Sequence, residues 1–318
     1  MPDVSSDEWT IGRLIEWTRG FFERGGVAQP RLEAEILLAH VLGAERIDLY
    51  LRYEQPVAGD ARAAFRELVR RRADGEPTRY LVGTCEFLSL AFKVTPDCLI
   101  PRPETETLVE EVLRRTRAAP APLLEGGGAE PAGPLTAIDL CTGCGCVAVS
   151  LAVRLPDCRV TATDISPAAL ALARANAEAH GVGTRVAFLE GDLYDALDAA
   201  DAEPADFLLA NPPYVAQKEW DGLAREIREH EPRDALVAGP AGTEVIERIL
   251  KGARAYLKPG ATLLVEIGAG QGARAAEMAS TVRGLIDVRV RKDYAGLDRI
   301  LVAQREPECQ NGVRVAKP

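Results

Sequence analysis

The sequence contains no apolar run long enough to cross a membrane, and it carries no excess of basic residues. Residues 1–8 are polar and acidic, so we expect no signal peptide and no membrane association. The formal net charge at pH 7 is −10, which argues against a protein that binds long duplex DNA by neutralising its phosphates. We therefore expect a cytoplasmic protein without a direct DNA partner.

Histidine is scarce, and the cysteines show no disulfide pattern. With three histidines in all, a lone one such as His40 or His230 is more often an ordinary core or surface residue than a general base. The seven cysteines are an odd number, which favours a reducing compartment over a disulfide framework. Three of them lie close together, but no further Cys or His pair is nearby, so we predict no metal site at Cys141, Cys144 and Cys146.

The first part of the chain is predicted to be helical. Apolar residues at helical spacing predict helices over 9–22, 30–43 and 60–73. We assign residues 1–76 to a small helical bundle, which has no cluster of polar residues typical of catalysis and is therefore interpreted as a packing or docking module. A β-hairpin linker over 77–100 is expected to follow.

Two further segments are expected to lie outside the regular fold. Residues 118–134 are rich in proline and glycine and have almost nothing large enough to bury, so they are predicted to form a flexible insertion. Residues 306–318 are predicted to be a frayed tail. Residues 77–305, which include the hairpin linker and the insertion, are assigned to a second, larger domain.

Strands and helices alternate in this larger domain, which is typical of an α/β fold with a mostly parallel sheet. The last two predicted strands are too close for a helical crossover, so they must form an antiparallel hairpin. Helices are also predicted near 218–229 and after Thr243. The seven predicted strands are 137–140, 159–163, 186–189, 207–210, 262–267, 287–291 and 299–303.

A glycine-rich turn follows the first of these strands and precedes a helix. Gly143 and Gly145 let the backbone approach a ligand closely, while the helix start offers unpaired N–H groups. Asp164 lies about 20 residues further on, where a carboxylate can accept hydrogen bonds from both ribose hydroxyls of a nucleoside. Asp192 and Leu193 follow the third strand at the same edge, and Asp192 can accept from an adenine amino group.

A rigid polar turn, Asn211-Pro212-Pro213-Tyr214, follows the fourth strand. The two prolines fix the backbone and donate no N–H, so the Asn211 side chain and the Pro212 carbonyl are preset acceptors. Acceptors held in this way suit a planar NH₂ group, and Tyr214 can lie against its flat face. The turn therefore indicates a cradle for a nitrogen nucleophile, with a proline-stiffened surface loop as the alternative interpretation.

The glycine-rich turn alone does not separate NAD from S-adenosylmethionine, because Gly143-x-Gly145-x-x-Ala148 also fits a dinucleotide-binding fingerprint. The terminal hairpin, Asp192 and the nitrogen-cradling turn together fit a methyl donor better than a hydride carrier. In this arrangement the chain resembles the class I S-adenosylmethionine-dependent methyltransferases. Within that class it closely resembles the protein-(glutamine-N5) methyltransferases of peptide-chain release factors, the HemK/PrmC family.

This resemblance covers nearly the whole chain. The Ile-Pro-Arg-Pro-Glu-Thr-Glu segment is its most specific motif, since Asn-Pro-Pro-Tyr also occurs in adenine and guanine N-methyltransferases. The motifs that carry it are Pro77-Thr78-Arg79-Tyr80-Leu81-Val82-Gly83, Glu86-Phe87, Ile100-Pro101-Arg102-Pro103-Glu104-Thr105-Glu106, Asp139-Leu140-Cys141-Thr142-Gly143-Cys144-Gly145, Asn211-Pro212-Pro213-Tyr214 and Glu231-Pro232.

The resemblance implies methyl transfer from S-adenosyl-L-methionine to the glutamine amide of a Gly-Gly-Gln loop in a class 1 release factor, with the helical domain helping to dock that protein. The implied catalytic residues are Asn211, Pro212 and Tyr214, and the implied substrate-binding residues are these three with Pro213 and Arg102. Arg102 as a plain surface charge remains the alternative. The implied cofactor-binding residues are Cys141, Thr142, Gly143, Cys144, Gly145, Asp164, Asp192, Leu193 and Asn211.

The chain departs from the family pattern at Cys141, where a glycine is common. We expect this cysteine to tolerate a positive φ less well than glycine without loss of cofactor binding. Two other functions stay open: a nucleic-acid amine methyltransferase that holds a flipped-out base in the same cradle, and a non-catalytic protein that binds release factors. A monomer is expected in each case.

Overall fold

A computed structural model describes residues 9–118 and 134–308, which fall into two compact units. The first unit is Met1–Thr84 together with Leu223–Glu231, and the second is Cys85–Gly222 together with Pro232–Pro318. Residues 119–133 of the predicted insertion and 309–318 of the predicted tail lie outside the described part. Within that part, no helix combines the length and the apolar composition that a membrane crossing requires.

The helices and strands are numbered in chain order. The α-helices of the described residues are α1 (Ile11–Arg24), α2 (Pro30–Leu42), α3 (Arg46–Leu51), α4 (Gly59–Ala73), α5 (Thr78–Val82), α6 (Glu106–Ala118), α7 (Cys146–Arg154), α8 (Pro167–Ala179), α9 (Asp195–Ala199), α10 (Arg225–His230), α11 (Glu244–Tyr256) and α12 (Gly272–Thr281). The strands are β1 (Thr84–Phe87), β2 (Leu90–Lys93), β3 (Thr136–Leu140), β4 (Arg159–Asp164), β5 (Val186–Glu190), β6 (Ala205–Ala210), β7 (Val215–Ala216), β8 (Val237–Gly239), β9 (Leu257–Glu266), β10 (Leu285–Lys292) and β11 (Asp298–Arg305). Short 3-10 helices occupy Pro103–Thr105, Gln217–Gly222 and Arg233–Ala235.

The first unit is helical, as its periodicity predicts. Thr10 caps α1 by accepting a hydrogen bond from the Arg13 N–H, and α2 begins at Pro30 and ends before Gly43, whose φ of 58° is left-handed. The faces of α1, α2 and α4 meet in one apolar core. Its fully buried members include Ile15, Phe22, Leu37 and Leu38.

A charged network inside this unit includes the segment Leu223–Glu231. Arg72, which is almost completely buried, pairs through Nε with Glu33 Oε2 at 2.9 Å and through Nη2 with Glu226 Oε2 at 2.8 Å. The Thr78 hydroxyl also donates to Glu33. A buried guanidinium needs such partners, because an unpaired charge in the interior is costly. The segment that contains α10 is therefore held to the helical unit by Arg72.

The second unit is built on a seven-stranded sheet in the order β10-β11-β9-β6-β3-β4-β5. Strands β9, β6, β3, β4 and β5 are parallel, and β11 is antiparallel to both of its neighbours, β9 and β10. The central strands are continuous apolar runs because both faces of a parallel sheet are covered. This architecture confirms the predicted α/β fold and its terminal antiparallel hairpin.

Strand order explains where a ligand can bind. From β3 the chain passes outward to β4 and β5, and then it returns to place β6 on the other side of β3. A crevice forms beyond the carboxyl ends of the strands at such a switch point. The loops that follow β3, β4, β5, β6 and β9 therefore all reach one edge of the sheet.

Some local predictions are wrong. The segment 78–82, predicted to belong to a hairpin linker, is the short helix α5, so the β structure begins only at Thr84. The single helix predicted over 218–229 is instead a 3-10 helix, Gln217–Gly222, followed by the separate helix α10. The break falls where the chain passes from the second unit to the first, which a periodicity pattern does not show.

Candidate active site

A cavity of about 570 Å³ opens at the carboxyl edge of the sheet in the second unit. This volume lies in the range of small-molecule sites. Most of the predicted cofactor-binding residues line it, and Gly145 does not. The predicted residues that line the cavity are Cys141, Thr142, Gly143, Cys144, Asp164, Asp192, Leu193, Asn211 and Pro213.

The glycine-rich turn is tied to the next strand by its backbone. The Thr142 N–H donates to the Thr163 carbonyl at 2.9 Å, and the Gly143 N–H donates to Asp164 Oδ2 at 2.8 Å. Gly145, with a φ of 82°, is the N-terminal cap of α7. A β-carbon added there would lie 3.0 Å from Ala173 Cβ, so both conformation and space require glycine.

Cys141 also adopts a left-handed backbone conformation, with a φ of 58°. This is the position where the sequence departs from the family's glycine, and a side chain in this region is strained. Burial raises the pKa of the Cys141 thiol well above its ordinary value, and the nearby Asp164 and Asp139 raise it further. The thiol is therefore neutral and acts as a small, partly buried apolar group.

Asp164 can still receive a ligand after it has bound the backbone. Its Oδ1 accepts from the Ser166 N–H at 2.9 Å, and its Oδ2 accepts from the Gly143 N–H. Burial raises the pKa of Asp164, and these backbone hydrogen bonds partly offset that rise. Each carboxylate oxygen has more than one acceptor site, so both remain open to hydroxyl groups of a ligand in the cavity.

Asp139 is a further functional candidate, which the sequence shows only as part of a motif. It is almost completely buried in β3, it lines the cavity, and it accepts from the Thr142 hydroxyl at 2.6 Å. Burial raises its pKa to about 7, while the hydrogen bonds from Thr142 and from the Ala148 N–H lower it. Asp139 therefore holds Thr142 of the glycine-rich turn in position. An acidic residue inside an otherwise apolar strand is the sequence signal for it.

Asp192 is paired in a way that the sequence does not show. Arg248 of α11 donates from Nη2 to Asp192 Oδ2 at 2.8 Å, and both side chains are about half exposed. Both residues line the cavity, and Leu193 next to them is buried with a φ of 53°. The pair leaves Asp192 Oδ1 as the available acceptor.

The Asn-Pro-Pro-Tyr turn is held by side chains that are remote in sequence. Asn211 donates from Nδ2 to Thr105 Oγ1 at 3.1 Å, and the Tyr214 hydroxyl donates to Glu266 Oε1 at 3.4 Å. Gln271 donates from Nε2 to the Tyr214 carbonyl at 2.9 Å. The sequence shows Thr105 only as part of a motif and does not identify Glu266 or Gln271 as site residues. Their positions in the site depend on the tertiary fold.

The residues of the turn do not all face the cavity. Asn211 and Pro213 line it, whereas Pro212 is buried and Tyr214 is half-buried behind them. Burial raises the pKa of Tyr214 to about 12, as does the charge of Glu266, while Arg102 is close enough to lower it. Arg102 does not line the cavity.

The two candidate general bases are not in this cavity. His40 is exposed on α2, and His230 ends α10, so both belong to the helical unit. In the described part of the chain, no group of three or more His, Cys, Asp and Glu side chains has a metal-binding arrangement. The polar groups that line the cavity are carboxylates, hydroxyls, a carboxamide and backbone N–H groups.

Family models match both parts of the chain. The PrmC N-terminal domain matches residues 13–83, and the methyltransferase small domain matches residues 133–236. The second match identifies a methyltransferase domain over those residues. A solved methyltransferase from Pyrococcus furiosus is 17% identical, with 69% of this chain and 91% of that chain covered and a TM-score of 0.47.

Curated relatives are more similar and cover nearly the full length. A release factor glutamine methyltransferase of Rhodopirellula baltica is 41% identical, with 96% of this chain and 100% of the relative covered. One from Geobacter sulfurreducens is also 41% identical, with 92% of this chain and 96% of the relative covered. The chain belongs to the family of release factor glutamine methyltransferases.

Proposed function

We propose that this protein methylates the side-chain amide nitrogen, N5, of the glutamine in the Gly-Gly-Gln motif of class 1 peptide-chain release factors. The proposed donor is S-adenosyl-L-methionine. The observation that carries the proposal is the carboxamide of Asn211, whose nitrogen already donates to Thr105, so that its oxygen is left for a substrate N–H at the cavity. The names of the relatives support the substrate class.

The cavity suits the nucleoside part of this donor. Asp164 retains acceptor capacity for ribose hydroxyls, Asp192 Oδ1 is available to an amino group, and the backbone around Gly143 permits close approach. When bound, S-adenosyl-L-methionine supplies an electrophilic methyl group on a positively charged sulfur and leaves as S-adenosyl-L-homocysteine. No metal is needed for this chemistry.

An amide nitrogen is a poor nucleophile because its lone pair is delocalised into the carbonyl group. Asn211 Oδ1 and the Pro212 carbonyl accept the two amide hydrogens, which fixes the nitrogen for attack and enriches its electron density. Pro212 and Tyr214 do not line the cavity, so their contacts with the amide are proposed for the bound substrate, with the Tyr214 ring against the amide plane. The Tyr214 hydroxyl is held by Glu266, so its ring position is set before the substrate binds.

The same arrangement removes the need for a general base. The amide N–H becomes acidic only as the nitrogen gains the methyl group, so the surplus proton leaves after the transfer. Transfer moves the positive charge from the sulfonium sulfur to the amide nitrogen, and the charge then leaves with the N–H proton, which passes to solvent water. Spreading of that charge over sulfur, carbon and nitrogen in the transition state is favoured in a water-poor crevice. The residues of this site orient and desolvate the amide, and none of them has to abstract a proton first.

The rest of the proposal concerns the partner. We assign docking of the release factor to the helical unit, where Trp17, Ile47 and Leu51 are 50%, 60% and 77% exposed. A contiguous exposed apolar surface marks a site of protein binding, and we propose that these three side chains contribute to one. Because release factors act in translation, the proposed compartment is the cytoplasm. The proposed active form is a monomer, with Arg102 as a substrate contact beside Tyr214.

Mass spectrometry of a purified release factor tests this function. After incubation with the protein and S-adenosyl-L-methionine, we expect one added methyl group on the glutamine of the Gly-Gly-Gln motif. A release factor in which alanine replaces that glutamine is the control and should stay unmodified. Methylation of DNA or ribosomal RNA in parallel samples, with none on the release factor, would overturn the proposal in favour of a nucleic-acid methyltransferase.

A further inference from the structure

The ion pair between Arg248 and Asp192 joins two elements that tertiary packing brings together at the cavity. Asp192 lies in the loop after β5, and Arg248 lies on α11, 56 positions further along the chain. Arg248 donates from Nη2 to Asp192 Oδ2 at 2.8 Å, and both residues line the cavity. The pair is therefore part of the cavity wall.

A second set of contacts holds α11 against the same loop. The Tyr194 hydroxyl donates to the Ile249 carbonyl at 2.7 Å, and the Tyr194 ring stacks on Tyr256 with the ring centres 5.2 Å apart. The Tyr194 ring also lies so close to Gly252 that a β-carbon there would collide with it. Because these contacts already join the loop to the helix, their packing does not depend on the ion pair.

The ion pair itself contributes little to stability. The Arg248 side chain is 51% exposed, and the Asp192 side chain is 41% exposed. Attraction between exposed charges is weakened by water and salt, and holding two long side chains in one geometry costs entropy. A role in the cavity therefore explains the pair better than a role in stability.

Arg248 restricts the orientation of the Asp192 carboxylate. The last torsion of an aspartate side chain has broad minima, so an unpaired carboxylate samples many orientations. The hydrogen bond from Arg248 occupies Oδ2 and leaves Oδ1 as an acceptor for a ligand. A group that is held in its binding orientation before the ligand arrives loses less entropy on binding. Arg248 thus prepares Asp192 to accept a hydrogen bond.

The acceptor at Asp192 selects a particular kind of base. An ionised carboxylate only accepts, so it favours a ligand that carries a hydrogen-bond donor. The adenine of S-adenosyl-L-methionine has such a donor in its 6-amino group. A base that fills the cavity also displaces water from the pair, and hydrogen bonds and ion pairs are stronger where water is excluded. The contribution of Arg248 should therefore depend on the amino group of the ligand.

We propose that Arg248 is a positioning residue for the methyl donor, which holds Asp192 so that its Oδ1 accepts from the 6-amino group of the donor's adenine. This inference rests on the proposed function, which places the nucleoside of the donor in the cavity. It makes Arg248 a determinant of selectivity for adenine over a purine without the amino group, and Arg248 exerts this effect through Asp192.

Calorimetric titration of two ligands tests this role in the full-length protein. One is S-adenosyl-L-homocysteine, and the other is its analogue with hydrogen in place of the 6-amino group. A hydrogen bond to a charged acceptor should make the unsubstituted protein bind the first ligand about tenfold more tightly or better. No such preference would overturn the proposal, because the amino group would then not be bound by Asp192.

Arg248→Met removes the guanidinium group and keeps an unbranched side chain that suits a helix. Because Asp192 is no longer held in one orientation, we expect the preference for S-adenosyl-L-homocysteine over the analogue to fall by about threefold or more. An unchanged preference would overturn the role of Arg248.

Lys251 provides a matched control on the same helix. It pairs with Glu247 at 2.6 Å, it is exposed, and it does not line the cavity. Lys251→Met removes the same charge from α11 and should leave the preference unchanged. A loss as large as that in Arg248→Met would reveal a general effect of the charge of α11 and would contradict the proposal.

Asp192→Ala decides whether Arg248 acts through Asp192. This variant lacks the acceptor and should itself lose most of the preference for the amino group. Addition of Arg248→Met to Asp192→Ala should then change the preference by less than about twofold, because the partner through which Arg248 acts is gone. A further loss as large as in the single variant would show that Arg248 binds the base directly and is not a positioning residue.

These titrations need no turnover, so they separate this inference from the proposed function. If the preference depends on Arg248 but no release factor is methylated, the proposed function fails while the positioning role stands. If a release factor is methylated and the preference does not depend on Arg248, the positioning role is wrong and the proposed function stands.

Discussion

The donor side and the acceptor side of the cavity are held together in different ways. On the donor side, the turn after β3 and the carboxylate of Asp164 are joined by backbone N–H groups of nearby segments. On the acceptor side, Asn211 and Tyr214 depend on the side chains of Thr105 and Glu266, which are 106 and 52 positions away in the chain. The glycine-rich turn and Asp164 are thus held mainly by backbone N–H groups, whereas Asn211 and Tyr214 are held by side chains that tertiary packing brings to them. Asp192 on the donor side is the exception, since the Arg248 side chain pairs with it.

This difference suggests that the two sides respond differently to mutation. A substitution among the donor-side residues should change affinity for the donor or the stability of the fold, since the backbone itself forms the site. A substitution among the acceptor-side residues should change turnover with donor affinity preserved. Four experiments test this difference between the donor side and the acceptor side.

Asn211→Ala should produce the largest effect. Removing the carboxamide takes away an acceptor that positions the amide nitrogen, so we expect kcat to fall about 100- to 1000-fold, as for other preorganised hydrogen-bonding groups. Steady-state kinetics with a release factor measure kcat, and calorimetric titration of S-adenosyl-L-homocysteine measures affinity for the cofactor. If donor affinity fell by the same factor, the division between the two sides would not hold.

The next largest effect is expected for Gly145→Ala. The added methyl group meets Ala173 at 3.0 Å in a backbone conformation with a φ of 82°, so we expect a loss of about 2 to 3 kcal/mol in the free energy of unfolding. Thermal denaturation of the full chain measures this loss.

Gly143→Ala is the matched control for that substitution. Gly143 also has a positive φ of 56°, but no atom lies within 4 Å of an added β-carbon. Only the conformational cost of about 1 kcal/mol should remain. Equal destabilisation by both changes would show that contact with Ala173 is unimportant.

Asp164→Asn should lower the affinity for the donor, whereas Asn211→Ala lowers turnover, and the expected factor is somewhat smaller. The amide keeps the volume but loses the charge and one pair of acceptor sites, so we expect donor affinity to fall about 10- to 100-fold. At saturating donor, kcat should be largely restored. A kcat that stays low at every donor concentration would argue against a binding role.

Substitutions of Cys141 should produce the smallest effect, which is a change in the free energy of unfolding. Cys141→Gly relieves the left-handed strain and should raise the free energy of unfolding by about 1 kcal/mol, whereas Cys141→Val introduces a β-branched side chain and should lower it. The melting temperatures of the two variants are compared with that of the unsubstituted protein. Stabilisation by valine would show that packing at Cys141 outweighs backbone strain.

Much of the sheet could be predicted because its strands are local apolar runs. The segment that became β6 was predicted from Phe207 to Ala210, and the close spacing of the last two strands required the antiparallel hairpin. The elements β7 and β8 are not predicted, since strands of two and three residues are too short to show a periodicity. Here tertiary contacts, and not local preference, create the structure.

For the site, too, the sequence predicts what local patterns create and not what tertiary contacts create. The turn around Gly143 and the position of Asp164 follow from a strand, a glycine-rich turn and a helix in direct succession, so the sequence predicts that they share an edge. Arg248 lies on α11 and Gln271 lies just before α12, and nothing in their neighbours marks them. Glu266, an acidic residue at the end of an apolar strand, carries the same signal as Asp139. Their roles depend on which elements pack together, and sequence periodicity carries no information about that.

The segment Leu223–Glu231 has a practical consequence for dividing the protein. Because it belongs to the helical unit, the chain passes between the two units at Thr84, again before Leu223 and once more after Glu231. A fragment that starts at Cys85 keeps Glu226 but deprives it of Arg72, its ion-pair partner. Removal of the first 84 residues alone therefore does not yield an intact catalytic fragment, and any exchange of helical units between relatives must include both pieces of sequence.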